Sequence, residues 1–286
     1  MASLFIPELL ISPGCAPSPG MFRGRTAVRV WYDEFRAPYG HGYSQGDRHW
    51  MKMREVGIFQ FAVSQRHVSV VPAAEVSEAR VREVYRRCVL PMALQVMGVE
   101  VLHASAVLTP SGVVAFCASS TTGKSTLVYA LSKRQYPIWA DDAVTLSQID
   151  GHTATVRLPF TLRLREDACS FFQVQRPEGL HEPADLVESC ARLHSIYVLR
   201  RSPHPIQIEE LSAAQALPEL LGHAYCFNPV DLLRKRSMVK HYLDCVASVP
   251  VYRLSFRPSL QHLDDIIDAL KIPSLQAQAP RRVKCQ

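Results

Sequence analysis

The chain has 286 residues, of which 48% are hydrophobic and 20% are charged. This composition is too apolar for a disordered chain and lacks the glycine periodicity of a fibrous protein, so we expect a folded protein with a sizeable core. Lysine and arginine outnumber aspartate and glutamate by 32 to 26. This mild positive charge favours an anionic partner, but it does not by itself indicate nucleic acid.

The cellular setting is predicted from what the sequence lacks. The eight cysteines do not have the spacing of zinc ligands, and several lie in apolar segments, so we expect reduced thiols. No stretch reaches the roughly 18 apolar residues that a membrane span needs, and the start of the chain does not resemble a signal peptide. We therefore expect a cytoplasmic protein with no membrane partner. We also expect no nucleic-acid partner, because the basic residues do not interleave with aromatic ones.

The first part of the chain is rich in predicted strands. Residues 1–22 contain many prolines and glycines and are interpreted as a loose leader. Residues 37–49 are rich in Gly, His and Tyr and are predicted to form a long loop. Strands are predicted at Ala27–Tyr32, Ile58–Val63 and His67–Val71. We therefore expect a β-rich N-terminal region over residues 1–76.

The pattern changes at Ser77, which is placed to cap a helix. Near-helical spacing of apolar residues predicts a helix to about Met97, which Pro91 should kink or split and Gly98 should end. Strands are then predicted at Val101–Leu108, Val113–Cys117, Ile138–Ala140, Val144–Gln148, Thr153–Leu158, Ile196–Leu199, Ile206–Ile208 and Val251–Leu254. Helices are predicted near Lys124–Lys133, Ser212–Leu221, Pro229–Ala247 and Leu260–Leu270. The alternation indicates an α/β domain over residues 77–272, followed by a flexible tail at 273–286.

The segment from Val113 to Thr126 has the pattern of a phosphate-binding loop. An apolar strand leads into small residues that end Gly-Lys-Ser-Thr and open a helix, with Ala118 in place of the first glycine of G-x-x-x-x-G-K-[ST]. Backbone amides and a helix N-terminus attract phosphate, Lys124 adds a full charge, and Ser125 offers a hydroxyl ligand to Mg²⁺. The alternative is an ordinary helix start with no ligand.

Two further groups accompany this loop. Asp141 and Asp142 directly follow the strand Ile138–Ala140, where one carboxylate can hold a metal while the other faces a substrate hydroxyl. Alone, the pair could also be a polar turn after a strand. His103 lies at a strand start just before the loop, and a lone histidine is more often structural. Because His103 occurs together with the loop and the two acids, we regard it as a candidate functional residue.

Together these residues resemble the catalytic core of the HPr kinase/phosphorylase family and its shorter relatives. This core is related to the phosphoenolpyruvate carboxykinase fold. The relatives carry Leu-His-Ala-Ser-Ala-Val, present here at residues 102–107, then a Gly-x-Ser-Gly-x-Gly-Lys-Ser-Thr loop and an Asp-Asp pair. His103 precedes Lys124 by 21 positions (103 to 124), and Asp141 follows it by 17 (124 to 141), which is similar to the family's spacing.

The resemblance implies an α/β fold with an HPr kinase-like P-loop core and an ATP- and Mg²⁺-dependent kinase. It implies that Asp141 is the general base, that His103 lies beside it, and that Lys124 acts on the phosphates. It also implies that Ser125 and Asp142 hold Mg²⁺. The nucleotide would be bound by Ser119, Ser120, Thr121, Thr122, Gly123, Lys124, Ser125 and Thr126. Arginines that could stabilise the transferred group are Arg163 and Arg165, which otherwise would be ordinary surface residues.

The resemblance also bears on the phosphoryl acceptor. Some short relatives are tailoring kinases for peptides, including lasso precursor peptides, so it implies transfer to a hydroxyl, above all serine, on a peptide or protein. Two alternatives stay open: a kinase for small-molecule hydroxyls, and a nucleotide-binding regulatory protein without turnover. Ala118 and Thr121, which replace glycines of the family, favour the second. A homo-oligomer also stays open, because full HPr kinases assemble as hexamers. Specificity is expected in the N-terminal region and in loops 37–49 and 170–192.

Overall fold

The structure is a computed structural model that describes residues 6–12, 20–33, 36–174, 189–270 and 272. The described residues divide into two compact units. Among the described residues, the N-terminal unit comprises those from residue 6 to Glu100 together with Tyr225–Met238, and the α/β unit comprises Val101–Ala224 and those from Val239 onward. The boundary expected at residue 76 therefore falls inside the N-terminal unit, because a helix that follows it packs against that unit's sheet. The predicted tail at 273–286 lies outside the described residues.

The N-terminal unit is built on a six-stranded sheet. Its strands are β1 (Glu8–Ile11), β2 (Arg29–Tyr32), β3 (Pro38–Gln45), β4 (Arg48–Met53), β5 (Gly57–Ala62) and β6 (His67–Pro72). The strand order is β1-β6-β5-β4-β3-β2, with β1 parallel to β6 and the other pairs antiparallel. The three predicted strands are found as β2, β5 and β6, whereas β1 lies in the segment that was interpreted as a leader.

The prediction of a loop over residues 37–49 is wrong, because this segment forms β3 and the start of β4. Its glycines make room for large side chains rather than breaking the strand. A Cβ atom added to Gly40 would lie 2.9 Å from Sδ of Met53, and one added to Gly42 would lie 3.1 Å from the ring of Phe227. The turn between β3 and β4 contains Gly46, whose φ of 59° is left-handed.

The predicted helix after Ser77 is confirmed, together with its break near Pro91. Helix α1 (Glu78–Val84) begins at Ser77, whose side chain accepts a hydrogen bond of 3.3 Å from the backbone N–H of Arg80. A π-helical turn over Tyr85–Val89 then leads into α2 (Leu90–Val96). Pro91 lies in the first turn of α2, directly after the π-helical turn.

The α/β unit is built around a larger sheet. Its strands are β7 (Glu100–Leu102), β8 (Ala104–Thr109), β9 (Gly112–Cys117), β10 (Ile138–Ala140), β11 (Val144–Ile149), β12 (His152–Val156), β13 (Cys190–Arg201), β14 (Gln207–Leu211) and β15 (Val251–Phe256). Its helices are α3 (Lys124–Lys133), α4 (Glu166–Phe171), α5 (Ala213–Leu221), α6 (Leu232–Ser248, which begins in the N-terminal unit) and α7 (Leu263–Ala269), the last preceded by a 3-10 turn at Leu260–His262. The mixed α/β class predicted from the sequence is therefore confirmed.

The order of the strands brings several strand ends to one edge of the sheet. The path is β10-β8-β9-β13-β12-β11-β7, and β15 pairs with β13 and β14. Strands β9, β13 and β15 are parallel, with Cys117 opposite Val198 and Leu199 opposite Leu254. The core around α3 contains Phe116, Leu131, Tyr197 and Leu254, each 0% exposed. This buried layer fixes the carboxyl end of β9, where the candidate loop begins.

The expectations about membrane spans and about the cysteines can be compared with the structure. Within the described ranges, no helix combines the length and hydropathy that crossing a bilayer requires. Five described cysteines are free thiols: Cys88, Cys117, Cys169, Cys226 and Cys245. Cys190 is disulfide-bonded, which departs from the expectation that all eight thiols are reduced.

Candidate active site

Lys124 is the first residue of α3, and its side chain folds back under the preceding loop. Only 7% of the residue is exposed, and Nζ donates a hydrogen bond of 2.8 Å to the backbone carbonyl of Ala118, where the loop begins. Burial lowers the pKa of Lys124, and the nearby carboxylates of Asp142 and Asp141 oppose this shift. The structure therefore places one ammonium group in the concave side of the loop.

His103 lies at the break between β7 and β8 and meets Lys124 there. Its Nε2 is 3.1 Å from Nζ of Lys124, and its backbone N–H donates to the carbonyl of His223 at 2.8 Å. Burial first, and the charge of Lys124 second, lower the pKa of His103 to about 4, against the opposing effect of Asp142. Since an ammonium group can only donate, Nε2 must accept, and the neutral ring then carries its proton on Nδ1.

Asp141 follows β10 and is 5% exposed. One carboxylate oxygen accepts hydrogen bonds from Oγ of Ser105 at 2.6 Å and from Oγ of Ser125 at 2.9 Å. The other accepts from the backbone N–H of Arg163 at 3.3 Å. Burial, followed by the charge of Asp142, raises the pKa of Asp141 to about 6, although these three hydrogen bonds act in the opposite direction.

Asp142 is half-buried and turns the chain away from Asp141. Its φ of 66° is left-handed, which is uncommon for a residue with a side chain and costs roughly 1–3 kcal/mol. Its charge acts on the pKa of both His103 and Lys124, and its backbone hydrogen-bonds the ring of His103. The two adjacent carboxylates are thus separated: Asp141 lies with Ser125, and Asp142 with His103.

The loop itself runs from Ser119 to Gly123, the N-cap of α3. Three of its residues, Ser119, Ser120 and Thr121, are exposed, whereas Thr122, Gly123, Ser125 and Thr126 are half-buried. Thr121 has a left-handed φ of 73°, while Ala118 is not among the residues with positive φ. Of the two positions where the family carries glycine, only that of Thr121 therefore needs the conformation that glycine favours.

The sequence patterns did not indicate three residues of the site. Ser105 lies two positions after His103 in the chain, a spacing that places residues on one face of a strand and could have revealed it. Arg201 ends β13, and its guanidinium donates to the backbone carbonyl of Thr121. The carboxyl end of the predicted strand at 196–199 was a signal for this residue. His223, which holds the backbone of His103, lies more than 100 positions away, and no sequence signal indicated it.

The predicted arginines are placed differently from one another. Arg163 is exposed, and it contacts Asp141 through its backbone N–H. Arg165 is the exposed N-cap of α4, whose first turn contains Glu166 and Asp167. The negative charge of these acids stabilises the positive end of the helix dipole. No cluster of three or more His, Cys, Asp and Glu residues suited to a metal occurs in the described part of the chain.

Comparison with known proteins finds only distant structural similarity. No family model matches the sequence, and no curated protein matches it. Among solved structures, the chain is similar to the Hpr(Ser) kinase/phosphatase from Coxiella burnetii, with 13% sequence identity and a TM-score of 0.34. The match covers 58% of this chain and 91% of that chain. The sequence identity and the TM-score are both low, so this similarity carries no functional argument.

Proposed function

We propose that this protein is an ATP- and Mg²⁺-dependent kinase that transfers the γ-phosphoryl group to a hydroxyl, above all a serine, on a peptide or protein. The proposal depends on one observation: an ammonium group, a neutral imidazole and two separated carboxylates surround one loop at a helix start. These groups belong to Lys124, His103, Asp141 and Asp142. Phosphoryl transfer needs positioning and charge neutralisation more than covalent chemistry, and these groups supply both.

The loop and the start of α3 suit the phosphates of a nucleotide. The first amides of a helix have no acceptor within that helix, and they carry a partial positive charge. Lys124 adds a full positive charge that is buried against Ala118 and His103. Backbone donors of residues 119–126 and this ammonium group would therefore hold the β- and γ-phosphates.

A Mg²⁺ ion suits the pair formed by Ser125 and Asp141. Their side chains lie 2.9 Å apart, and hydroxyl and carboxylate oxygens are the ligands that Mg²⁺ prefers. When bound, the ion neutralises charge on the phosphates. We assign Asp141 to the metal, with Asp142 left for the acceptor, which reverses the division that the resemblance implied. The hydrogen bond from Ser125 to Asp141 is the reason for this reversal.

Asp142 is then the residue that takes the proton of the acceptor hydroxyl. It lies beside His103, whose ring hydrogen-bonds its backbone. As the acceptor oxygen forms a bond to the γ-phosphorus, the bond from that phosphorus to the β–γ bridging oxygen breaks. ADP leaves with the electron pair, and the hydroxyl proton moves to the carboxylate of Asp142. His103 is neutral and orients this carboxylate through the backbone.

The acceptor class is supported by the resemblance of residues 102–107 and of the loop to short peptide-tailoring relatives. A lasso-type precursor peptide with a serine is the first acceptor to try, and an assembly of identical chains is part of the same proposal. Small-molecule alcohols form the alternative class of acceptor.

The test is transfer from γ-labelled ATP to serine peptides, with ATP affinity measured separately by calorimetry. We expect Lys124→Ala to weaken ATP binding and Asp142→Asn to lower transfer at least about 100-fold with little change in ATP affinity. Matched controls are Lys133→Ala, at the exposed end of the same helix, and Asp150→Asn, in an exposed turn.

Each outcome decides between the candidate functions. ATP binding without transfer to any peptide or alcohol would leave the regulatory alternative, and transfer to small alcohols alone would leave the small-molecule kinase. If ATP does not bind, or if Lys124→Ala binds it as tightly as the unaltered protein does, the assignment is wrong.

A further inference from the structure

The α/β unit contains a second cationic group, which neither the loop nor the two acids use. We propose that the guanidinium of Arg157 binds a carboxylate or phosphate group of a bound ligand, an inference that rests on the proposed kinase function. Such an oxyanion has two sources in a kinase: the nucleotide, or an acidic group close to the acceptor hydroxyl. The geometry around Arg157 is the basis for this inference.

Two nitrogens of Arg157, Nε and Nη2, are buried and have no hydrogen-bond partner among the residues that the structure describes. They lie on the same edge of the guanidinium, and this edge forms two parallel hydrogen bonds with a carboxylate or a phosphate. Within the described ranges, its guanidinium also makes no ion pair, and the ring of Phe160 lies 5.8 Å from Cζ. Contact with an aromatic ring leaves the donors of this edge unsatisfied.

The position of Arg157 is fixed by the strand before it. The side chain of Thr145 accepts from the backbone N–H of Val156 at 2.7 Å and donates to its carbonyl at 3.1 Å. These bonds lie beyond the paired part of β11 and β12, which ends where Ser147 lies opposite Ala154. Arg157 therefore directly follows a residue whose backbone is held by Thr145, three residues after Asp142.

The chain after Arg157 comes into contact with Asp141. Six residues later, the backbone N–H of Arg163 donates to the carboxylate of Asp141 at 3.3 Å. The backbone of Arg157 is itself held, because its N–H donates to the carbonyl of Ser189 at 2.9 Å. The segment from Arg157 to Arg163 is thus anchored at Ser189 at one end and at Asp141, one of the twin acids, at the other.

A guanidinium with two buried, unpaired nitrogens is unfavourable in the free protein. Arginine stays protonated, so it cannot relieve the cost of burial by losing its proton. Removing the charge should therefore be neutral or stabilising when no ligand is bound, whereas an arginine that had a partner in the folded chain would destabilise the protein on removal. The sign of the change in stability distinguishes a ligand site from a structural arginine.

The variants are Arg157→Met, which keeps the length of the side chain without the charge, and Arg157→Lys, which keeps the charge without the two-pronged edge. The control is Arg192→Met, an exposed residue of the neighbouring strand β13. We expect the Tm of ligand-free Arg157→Met to lie within about 2 °C of the unaltered protein, or above it. A fall of several degrees in Arg157→Met but not in Arg192→Met would overturn the proposal.

The two sources of the oxyanion are then separated by binding measurements. If the nucleotide supplies it, Arg157→Met raises the Kd for ATP at least about tenfold, and Arg157→Lys does so almost as much. If the acceptor supplies it, the Kd for ATP is unchanged. In that case, fluorescently labelled serine peptides with one Asp near the serine bind at least about tenfold better than their Asn counterparts, and Arg157→Met removes this preference.

Failure here is distinguishable from failure of the kinase proposal, because these measurements need binding and stability but no transfer. If Arg157→Met leaves both the Kd for ATP and the preference for Asp peptides as in the unaltered protein, the site does not exist. If transfer is absent but the Arg157 effects on binding are found, the anion site stands and only the chemistry is lost.

Discussion

The Nζ atom of Lys124 lies 3.1 Å from Nε2 of His103, so a buried ammonium group donates to a ring that must stay neutral. A proton added to His103 would place two positive charges in contact away from water. The pair therefore makes both the stability and the phosphate site of this protein sensitive to acid.

The first prediction is a loss of stability on acidification that depends on His103. Its pKa is about 4 in the folded protein and 6.5 in the unfolded chain, so between these values only the unfolded state takes up the proton. Stability is then lost as the pH falls, by up to about 3 kcal/mol from this residue. We expect His103→Gln to lose less stability than the unaltered protein in urea unfolding from about pH 7.5 to about pH 4 without Mg²⁺. His152→Gln, an exposed control, should behave as the unaltered protein; equal pH slopes for His103→Gln and His152→Gln would contradict the assignment.

Asp141 should show the opposite dependence. Its pKa rises from 3.8 to about 6 on folding, so the folded state binds the proton more tightly, and the associated stability is lost as the pH rises through 6. We expect metal-free Asp141→Asn to be more stable than the unaltered protein at neutral pH, by up to about 3 kcal/mol, with the gain vanishing near pH 4. Chemical denaturation checks this, with Asp150→Asn as the exposed control. A less stable Asp141→Asn at neutral pH would show that the carboxylate is satisfied in its charged form.

Thr121 should be replaceable by glycine with a gain in stability. Its φ of 73° is unfavourable for a β-branched residue, and glycine removes this cost of about 1–3 kcal/mol, less the entropy that glycine loses on folding. We expect Thr121→Gly to raise the Tm and to leave ATP affinity equal or higher. The adjacent variant Thr122→Gly, at a position without positive φ, should lower the Tm. A lower Tm for Thr121→Gly would mean that the loop adopts another conformation.

The N-terminal unit contains a buried ion pair that should control its stability. Nη1 of Arg234 lies 2.5 Å from the carboxylate of Glu100, whose side chain is 1% exposed, and Nε of Arg234 donates to the carbonyl of Gln95. Arg234→Met should destabilise the protein by about 3–5 kcal/mol in urea unfolding, because it leaves a buried carboxylate without its cation. The double variant Arg234→Met/Glu100→Gln should recover part of this loss. If the double variant is as unstable as the single one, packing rather than charge explains the effect.

The sequence predicted the α/β unit more accurately than the N-terminal unit. Apolar runs bounded by turn residues defined β9, β10 and the hairpin of β11 and β12, because each of these elements depends on local pattern. The glycine-rich segment at 37–49 was predicted as a loop, because glycine usually weakens a strand. Only packing reveals that Gly40 and Gly42 leave room for Met53 and Phe227.

The sequence alone determined which groups could act: a lysine that opens a helix after small residues, a hydroxyl beside it, and two acids at a strand end. Spacing along the chain is enough for this, because the loop and the helix it begins are local. Which acid serves which partner, and that Ser105, Arg201 and His223 join them, was decided by the tertiary structure. Strand pairing brings together residues that are far apart in the chain, and the left-handed turn at Asp142 directs two adjacent carboxylates to different neighbours.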